Sequence, residues 1–493
     1  MKSVFDLLVP TYKPQSPRTI TRGVHNEYKI VRKQIKEKLT SIKHIALSSD
    51  LWKNRRRQHF LSLTGHFLND NFEYISILIS FKRFYGRHLS VAISPFLKKE
   101  LEKLAIDRDK IVGATSDNGS NIKATFKEGF GIWFSCICHN FNLILKPFFK
   151  QQKTIENETE IQNRLDTSDE ESEVEEEDVS EEEASEEEYN DEDTDEETDE
   201  EDDKTNEEDI IKVIMELITK IRKLIKAITN NQIVNEYFIQ LGNQKQLFLD
   251  FHVRWNSTFL MLKRFKELKE QVSKVTYSAH LIKGLTKNQI NSLKDLEIKY
   301  NEWDIVDILI DVFTPFYEGT VMLSGSRYPT LSTAYFVTRC LFTYLERNED
   351  DDSEIKLQLK SFLLERSKHH LKVRYSNDQK DAMLIAAFLD PVCFAILNEL
   401  EIEKAKKLIL KKQNYFELDE STIRNKKIKK TETFQSNFAS LCGIDIINNN
   451  TVTVSLNQEM SDYVNLIKRS NSISFGEFWR SNCNRFKFFS IVC

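Results

Sequence analysis

No run of about 18 apolar residues occurs in this chain, and no apolar stretch follows Met1, so neither a membrane span nor a secretory leader is expected. The seven cysteines are scattered and odd in number, which favours free thiols in a reducing compartment over a disulfide framework. No CxxC pair is present, so a zinc finger of the CxxC…HxxxH type is excluded. Basic residues are missing altogether from Asp169 to Asp203, where 25 of 35 side chains are Asp or Glu. The net charge is −7, and those side chains contribute −25, which leaves +18 on the remainder. A remainder that basic suits a phosphate backbone.

The 493 residues divide by pattern. Residues 1–42 begin as a proline-rich arm and continue into a helix whose apolar face is Ile30, Val31, Ile35 and Leu39. From 43 to 150 the pattern alternates. HIALSSD, FLSLTGHFL and FEYISILISFKRF are three strands joined by short turns. A helix at 88–106, the strand IVGATSD at 111–117, a helix opened by Asn118 or Ser120, the strand IWFSCICH at 132–139 and a helix from NFNLILKPFF follow. The order β-β-β-α-β-α-β implies an α/β fold, a mixed sheet flanked by helices. Residues 151–209 have no hydrophobic period and are expected to be a disordered acidic linker. A helical domain is expected at 210–375, a helical continuation with the basic run RNKKIKK at 376–445, and a polar tail at 446–493.

Two strands carry the candidate chemistry. IALSSD (45–50) and IVGATSD (111–117) are each an apolar run, a small polar pair and an aspartate. If the first and fourth strands lie side by side and parallel, Asp50 and Asp117 emerge from the same sheet edge. Two adjacent carboxylates repel unless a cation sits between them, and Mg²⁺ or Mn²⁺ takes such oxygen ligands and clamps phosphate. The competing reading is a turn, because Asp117-Asn118-Gly119 is a turn signature in its own right.

SSDLWKNRRRQHFLSLTGHFLND, GATSDNGSNI, CICHNFNLIL, FHVRWNSTFLMLKRF, FYEGTVMLSGSRYPTLS and IAAFLDPVCF occur in that order. Together they resemble the hAT family of cut-and-paste DNA transposases, of the ricesleeper-like and BED-finger-associated type. The resemblance spans roughly residues 1–400. It implies an RNase H-like core interrupted by a large all-α insertion, with Asp50 and Asp117 as the first two carboxylates of an Asp-Asp-Glu site for Mg²⁺ or Mn²⁺. It places the family's CxxH pair on Cys136 and His139, beside the DNA end. It places the family's RW element on Arg254 and Trp255, where the indole would stack on a base turned out of the duplex. Strand packing for the cysteines and domain anchoring for Trp255 are the alternatives. Arg55, Arg56 and Arg57 are candidate backbone contacts.

Three departures bear on function. No BED-type finger precedes the core, the acidic tract interrupts the pattern, and FGEFWRSNCNRFKFFSIVC resembles only the start of the segment that supplies the third carboxylate and the dimerisation surface. Glu477 stands before the tryptophan, the wrong place for that carboxylate. The expectation is a nuclear DNA-binding protein that is catalytically inactive for want of the third carboxylate, with weakened homo-oligomerisation. A nuclear scaffold or regulator, or an active transposase whose reading frame continues, are the other readings. Ser168, Ser172, Ser180, Ser185, Thr194 and Thr198 each stand three residues before an acid, the pattern of an acidophilic kinase. The tract itself could hold histones or another basic partner, or serve only as a spacer.

Overall fold

In a computed structural model, the structure describes residues 15–149, 204–413 and 456–486, apart from 41, 55, 86–88, 243–244, 252–253, 326 and 470–472. The acidic tract with its six phosphorylation candidates, the run RNKKIKK and Arg55 lie outside the described residues. The chain forms two compact units, one of residues 1–139, 321–340 and 373–493 and the other of 140–320 and 341–372.

The first unit opens with α1 (Pro17–Thr40), longer than its apolar face suggested, with Pro17 at the first helical position where a missing N–H is harmless. Strands β1 (Ile45–Lys53), β2 (His59–Leu68) and β3 (Tyr74–Phe84) follow as antiparallel hairpins. Then come α2 (Ser90–Glu102), β4 (Ile111–Ser116), α3 (Ser120–Lys127) and β5 (Ile132–Ser135). The sheet order is β3-β2-β1-β4-β5, with β1, β4 and β5 parallel. One face of β1 and β2 is dry: Leu47, Leu61 and Leu63 pack with Ile93, Leu97 and Leu101 of α2. Two neighbouring lysines, Lys82 and Lys103, and the Ser80 hydroxyl hold the buried Glu100 carboxylate of α2 against β3. Their hydrogen bonds outweigh burial and keep that carboxyl below its usual range.

Several boundaries differ from the expectation, and β1 runs on past Asp50 to Lys53. Strand β5 stops at Ser135, and α4 (Ile137–Leu145) already contains Cys138 and His139. IWFSCICH is one continuous apolar run, and such a run cannot be divided between strand and helix by periodicity. Helix α3 starts at Ser120 with Gly119, not Asn118 or Ser120, at its cap position.

The first unit also contains α13 (Asn377–Leu389), α14 (Pro391–Phe394), α15 (Glu399–Gln413), α16 (Leu456–Ile467) and α17 (Phe475–Asn482). These bury one aromatic cluster of Phe388, Phe394, Tyr463, Phe478 and Trp479. Gln379 of α13 donates to the Trp133 carbonyl of β5, and Ser135 bonds the Tyr375 hydroxyl at 3.3 Å. Both contacts join this helical part to the sheet edge.

The second unit is built on α5 (Lys204–Thr229), which buries Ile214, Leu217, Ile218, Ile221, Leu224, Ile225 and Ile228, the stripe of a helix with one core face. Around it lie α6 (Gln232–Gln240), α7 (Trp255–Glu267), α8 (Lys269–Tyr277), α9 (Lys287–Asp295), α12 (Glu354–Lys368) and parts of α10 (Tyr300–Leu323) and α11 (Thr330–Glu346). Among the described residues no helix is long and apolar enough to cross a membrane.

Candidate nucleic-acid and metal site

The register of the parallel strands decides where the carboxylates stand. The last paired positions of β1 and β4 are Ser48 and Thr115; Asp50 follows two residues later within β1, and Asp117 follows just past the end of β4. Paired positions in a sheet share a face, and side chains alternate along each strand. Ser48 and Asp50 therefore stand on the face opposite the buried Leu47 and Ser49, and Asp117 lies in the turn just past β4. Ser116 pairs with Ser135, and the Cys136 N–H donates to the Ser116 carbonyl at 2.8 Å, which brings Cys136 to the same row. Asp50 is exposed and Asp117 half-buried.

Asp117 also has a turn role. Its Oδ1 accepts from the Gly119 N–H at 3.2 Å, and that turn leads into α3. Beneath it, Trp133 Nε1 donates to Ser116 Oγ at 3.0 Å, which in turn donates to the Asp117 carbonyl at 2.9 Å. Two carboxylates, one within β1 and one just past the end of the adjacent β4, are the kind of hard oxygen donors that Mg²⁺ or Mn²⁺ takes. Among the described residues, the grouping of three or more acidic side chains with ligand atoms mutually in reach is elsewhere, at Glu349, Asp351 and Asp352 in the second unit.

Cys136 is poised differently from an ordinary thiol. A hydrogen bond from Cys138 brings it down to about 7, against burial and the Asp117 charge, which push it up. Burial pushes the Cys393 thiol up. We expect Cys136 to alkylate with iodoacetamide along a titration centred near pH 7, well before Cys393, as read by peptide mass mapping across pH. A midpoint near that of free cysteine would contradict the hydrogen-bonded arrangement. The sign follows for stability: the contribution of the depressed Cys136 thiol is complete above its unfolded value and is lost as pH falls through about 7.

A second polar row lies two residues before Asp50. Ser48 Oγ is 2.8 Å from His66 Nε2, and Tyr74 Oη is 2.9 Å from His66 Nδ1. Burial lowers the His66 pKa, so the ring is held neutral between two hydroxyls. Sequence reasoning missed this chain, because it depends on cross-strand register. The arginine hairpin is a tight turn: Asn54 Oδ1 accepts from the backbone N–H of Arg56 and Gln58 at 3.0 and 2.9 Å. Arg56 and Arg57 are exposed there, and Arg57 has φ of +57°, a conformation that costs a non-glycine residue energy.

Arg254 and Trp255 belong to the second unit. Arg254 is exposed at the cap of α7. Trp255 is 4 % exposed, with its ring centre 6.2 Å from that of Phe259, and its backbone N–H donates to Asn142 Oδ1 at 3.4 Å. The loop before them is anchored from within. Asp250 takes a two-pronged ion pair from Arg222 (3.0 and 2.6 Å) and a Thr258 hydroxyl, all buried.

Comparison with known proteins fits this architecture. Residues 48–128 match the ZBED1 RNase-like domain, and residues 134–298 match the ZBED1 RNase-like helical domain. Both matches are consistent with a hAT-type, transposase-derived protein. Its five-stranded mixed sheet and large helical unit are the RNase H-like core and helical insertion of that type. The chain is also 24 % identical over 339 residues to "Putative transcriptional regulator tpeD" of Talaromyces stipitatus. That match takes in 66 % of this chain and 34 % of the relative, so the chain spans about a third of that protein's length.

Proposed function

We propose that this hAT-type chain is a nuclear DNA-binding protein that uses the transposase scaffold to hold DNA without cutting it. The observation that carries the DNA half is the parallel pairing of β1 with β4, which runs to Ser48 and Thr115, two residues short of Asp50 and Asp117, with an arginine hairpin at the end of β1. The charge of +18 outside the acidic tract supports it, since cations that displace counterions from phosphate are the main source of non-specific affinity. A divalent cation held by Asp50 and Asp117 would bring Lewis-acid charge to a phosphate oxygen. Arg56 and Arg57 would take the neighbouring backbone.

The non-cutting half rests on Glu477. Its Oε2 accepts from the Ser474 hydroxyl at 2.7 Å and the Ser474 N–H at 3.3 Å, so this carboxylate closes the capping box of its own helix, α17. Those bonds also hold it below the usual carboxylate range. A carboxylate occupied in this way does not complete a site on β1 and β4, and losing one charge-compensating group commonly costs orders of magnitude in rate. The tpeD likeness favours a regulator over an enzyme, with the acidic tract as an arm for basic proteins.

The test is supercoiled plasmid incubated with the full chain and Mn²⁺, resolved for both mobility and topology. Retarded but unbroken plasmid is the expected result. Mn²⁺-dependent nicks that vanish in Asp50→Ala would overturn the non-cutting half, and unretarded plasmid at low salt would overturn the DNA half.

A further inference from the structure

The sheet face that carries Asp50 also carries a set of rings. Directly paired residues of an antiparallel sheet share a face, so Asp50, Ser62 and Phe81 form one row across β1, β2 and β3. The next row toward the arginine hairpin is Trp52, Phe60 and Arg83. The rings lie against one another. Trp52 and Phe60 have centroids 6.1 Å apart at 23°, Phe60 and Phe81 are 5.9 Å apart at 19°, and Trp52 and Phe81 are 5.3 Å apart at 38°. The other side of the same strands is the dry core of Leu61 and Leu63.

Trp52 and Phe60 are half-buried, and the outer ring of the cluster is open. Phe81 is 53 % exposed, and Tyr85, just past the end of β3, is 75 % exposed with the Arg83 guanidinium 4.7 Å from its ring centre. Large aromatic side chains usually gain from burial, so a cluster of rings left partly open marks a binding surface. Its charge identifies the occupant. Arg83 stands in the ring row itself, and the exposed Arg56 and Arg57 crown the hairpin at that end. The Asn54 carboxamide fixes the turn with Arg57 in its left-handed conformation, an arrangement that keeps a cation where glycine or asparagine would be easier. Flat rings interleaved with cations are what a single strand of nucleic acid needs: π-faces for unpaired bases and positive groups for phosphates. Duplex DNA keeps its base faces inside the stack and cannot use the rings.

We propose that Trp52, Phe60 and Phe81 form a stacking platform for the unpaired bases of a DNA strand, with Arg56, Arg57 and Arg83 taking its phosphates. Asp50 is two residues from Trp52 on the same face, so a strand laid on the rings runs directly to that carboxylate. The proposal rests on the DNA-binding reading and adds the strand form that the site accepts.

The experiment is fluorescence anisotropy with the full chain and two labelled DNAs of the same duplex, one blunt and one with a tail of unpaired thymidines. The tailed duplex is expected to bind more tightly. Phe81→Ala is expected to lower the affinity for the tailed duplex about tenfold, within the range for loss of one aromatic–base stack, and to leave the blunt duplex unchanged. Phe81→Tyr keeps a ring and is expected to keep the advantage. Phe81 is exposed, so an unchanged melting temperature of Phe81→Ala is expected and shows the fold intact. No preference for the tail, or a preference that survives Phe81→Ala, would overturn the platform. So would a Phe81→Ala variant that changes only the sedimentation behaviour, which would make this face an interface between copies of the chain. Loss of blunt-duplex binding by the wild type is a separate outcome: it fails the DNA-binding reading, and a tail preference without it would not restore that reading.

Discussion

Asp250→Ala is expected to destabilise the helical unit by about 3–5 kcal/mol, the usual cost of removing one partner of a buried ion pair. The cost arises on the other partner. Arg222 is 6 % exposed, and without Asp250 its guanidinium would remain buried without the two bonds of 3.0 and 2.6 Å that Asp250 accepts. The Thr258 hydroxyl would lose its acceptor as well. Thr258→Val removes only a hydrogen bond and should cost about 1 kcal/mol. Urea unfolding followed by far-ultraviolet circular dichroism measures both. A loss under about 1 kcal/mol for Asp250→Ala would show that the pair is not the buried clamp described. The clamp also matters for the neighbouring loop. Ser257 Oγ accepts from the Phe251 N–H at 3.1 Å and lies 2.7 Å from the carbonyls of Phe251 and Arg254, one of which takes its single proton, so Ser257 holds the chain on either side of this loop.

Trp479→Ala is the second large effect, also about 3–5 kcal/mol, in the range for deleting a fully enclosed aromatic. Trp479 is 0 % exposed and stacks on Tyr463 at 5.7 Å, and its Nε1 donates to the Leu389 carbonyl at 3.0 Å. Phe72, in the turn between β2 and β3, lies 6.0 Å from the same indole. The truncation would therefore unseat α17 from both α13 and the sheet. Trp479→Phe keeps most of the packing and loses the hydrogen bond, so a loss of about 1–2 kcal/mol is expected. Denaturant midpoints of the two variants should separate clearly, and equal midpoints would contradict the packing described. The segment FGEFW, whose role in the sequence was hard to place, is thus part of the core of the first unit.

The parallel pairing of β1 with β4 was legible because both apolar runs end in a small polar pair and an aspartate, and because the hairpins between β1, β2 and β3 are short. The aromatic platform was not. It depends on which residue of β3 faces which residue of β2, and the register shifts at Leu63 and Thr64, so counting along LSSDLWK and FKRF alone cannot align Phe81 with Asp50. The end of β5 was missed because Cys136 to His139 continue its apolar character into a helix. The union of α13 with α17 was missed for another reason: Trp479 and Leu389 are far apart in sequence, and no local pattern announces a contact of that span.

Salt-dependent binding tests the account most directly. Anisotropy of the full chain on a short labelled duplex, titrated from about 50 to 200 mM NaCl, reads how many phosphates are neutralised, since the slope of log affinity against log salt scales with that number. The account predicts binding at the low end and at least a roughly tenfold fall across the range, the equivalent of two or more phosphate contacts. No binding at about 50 mM, or affinity indifferent to salt, would contradict a DNA-holding role for this transposase-derived scaffold.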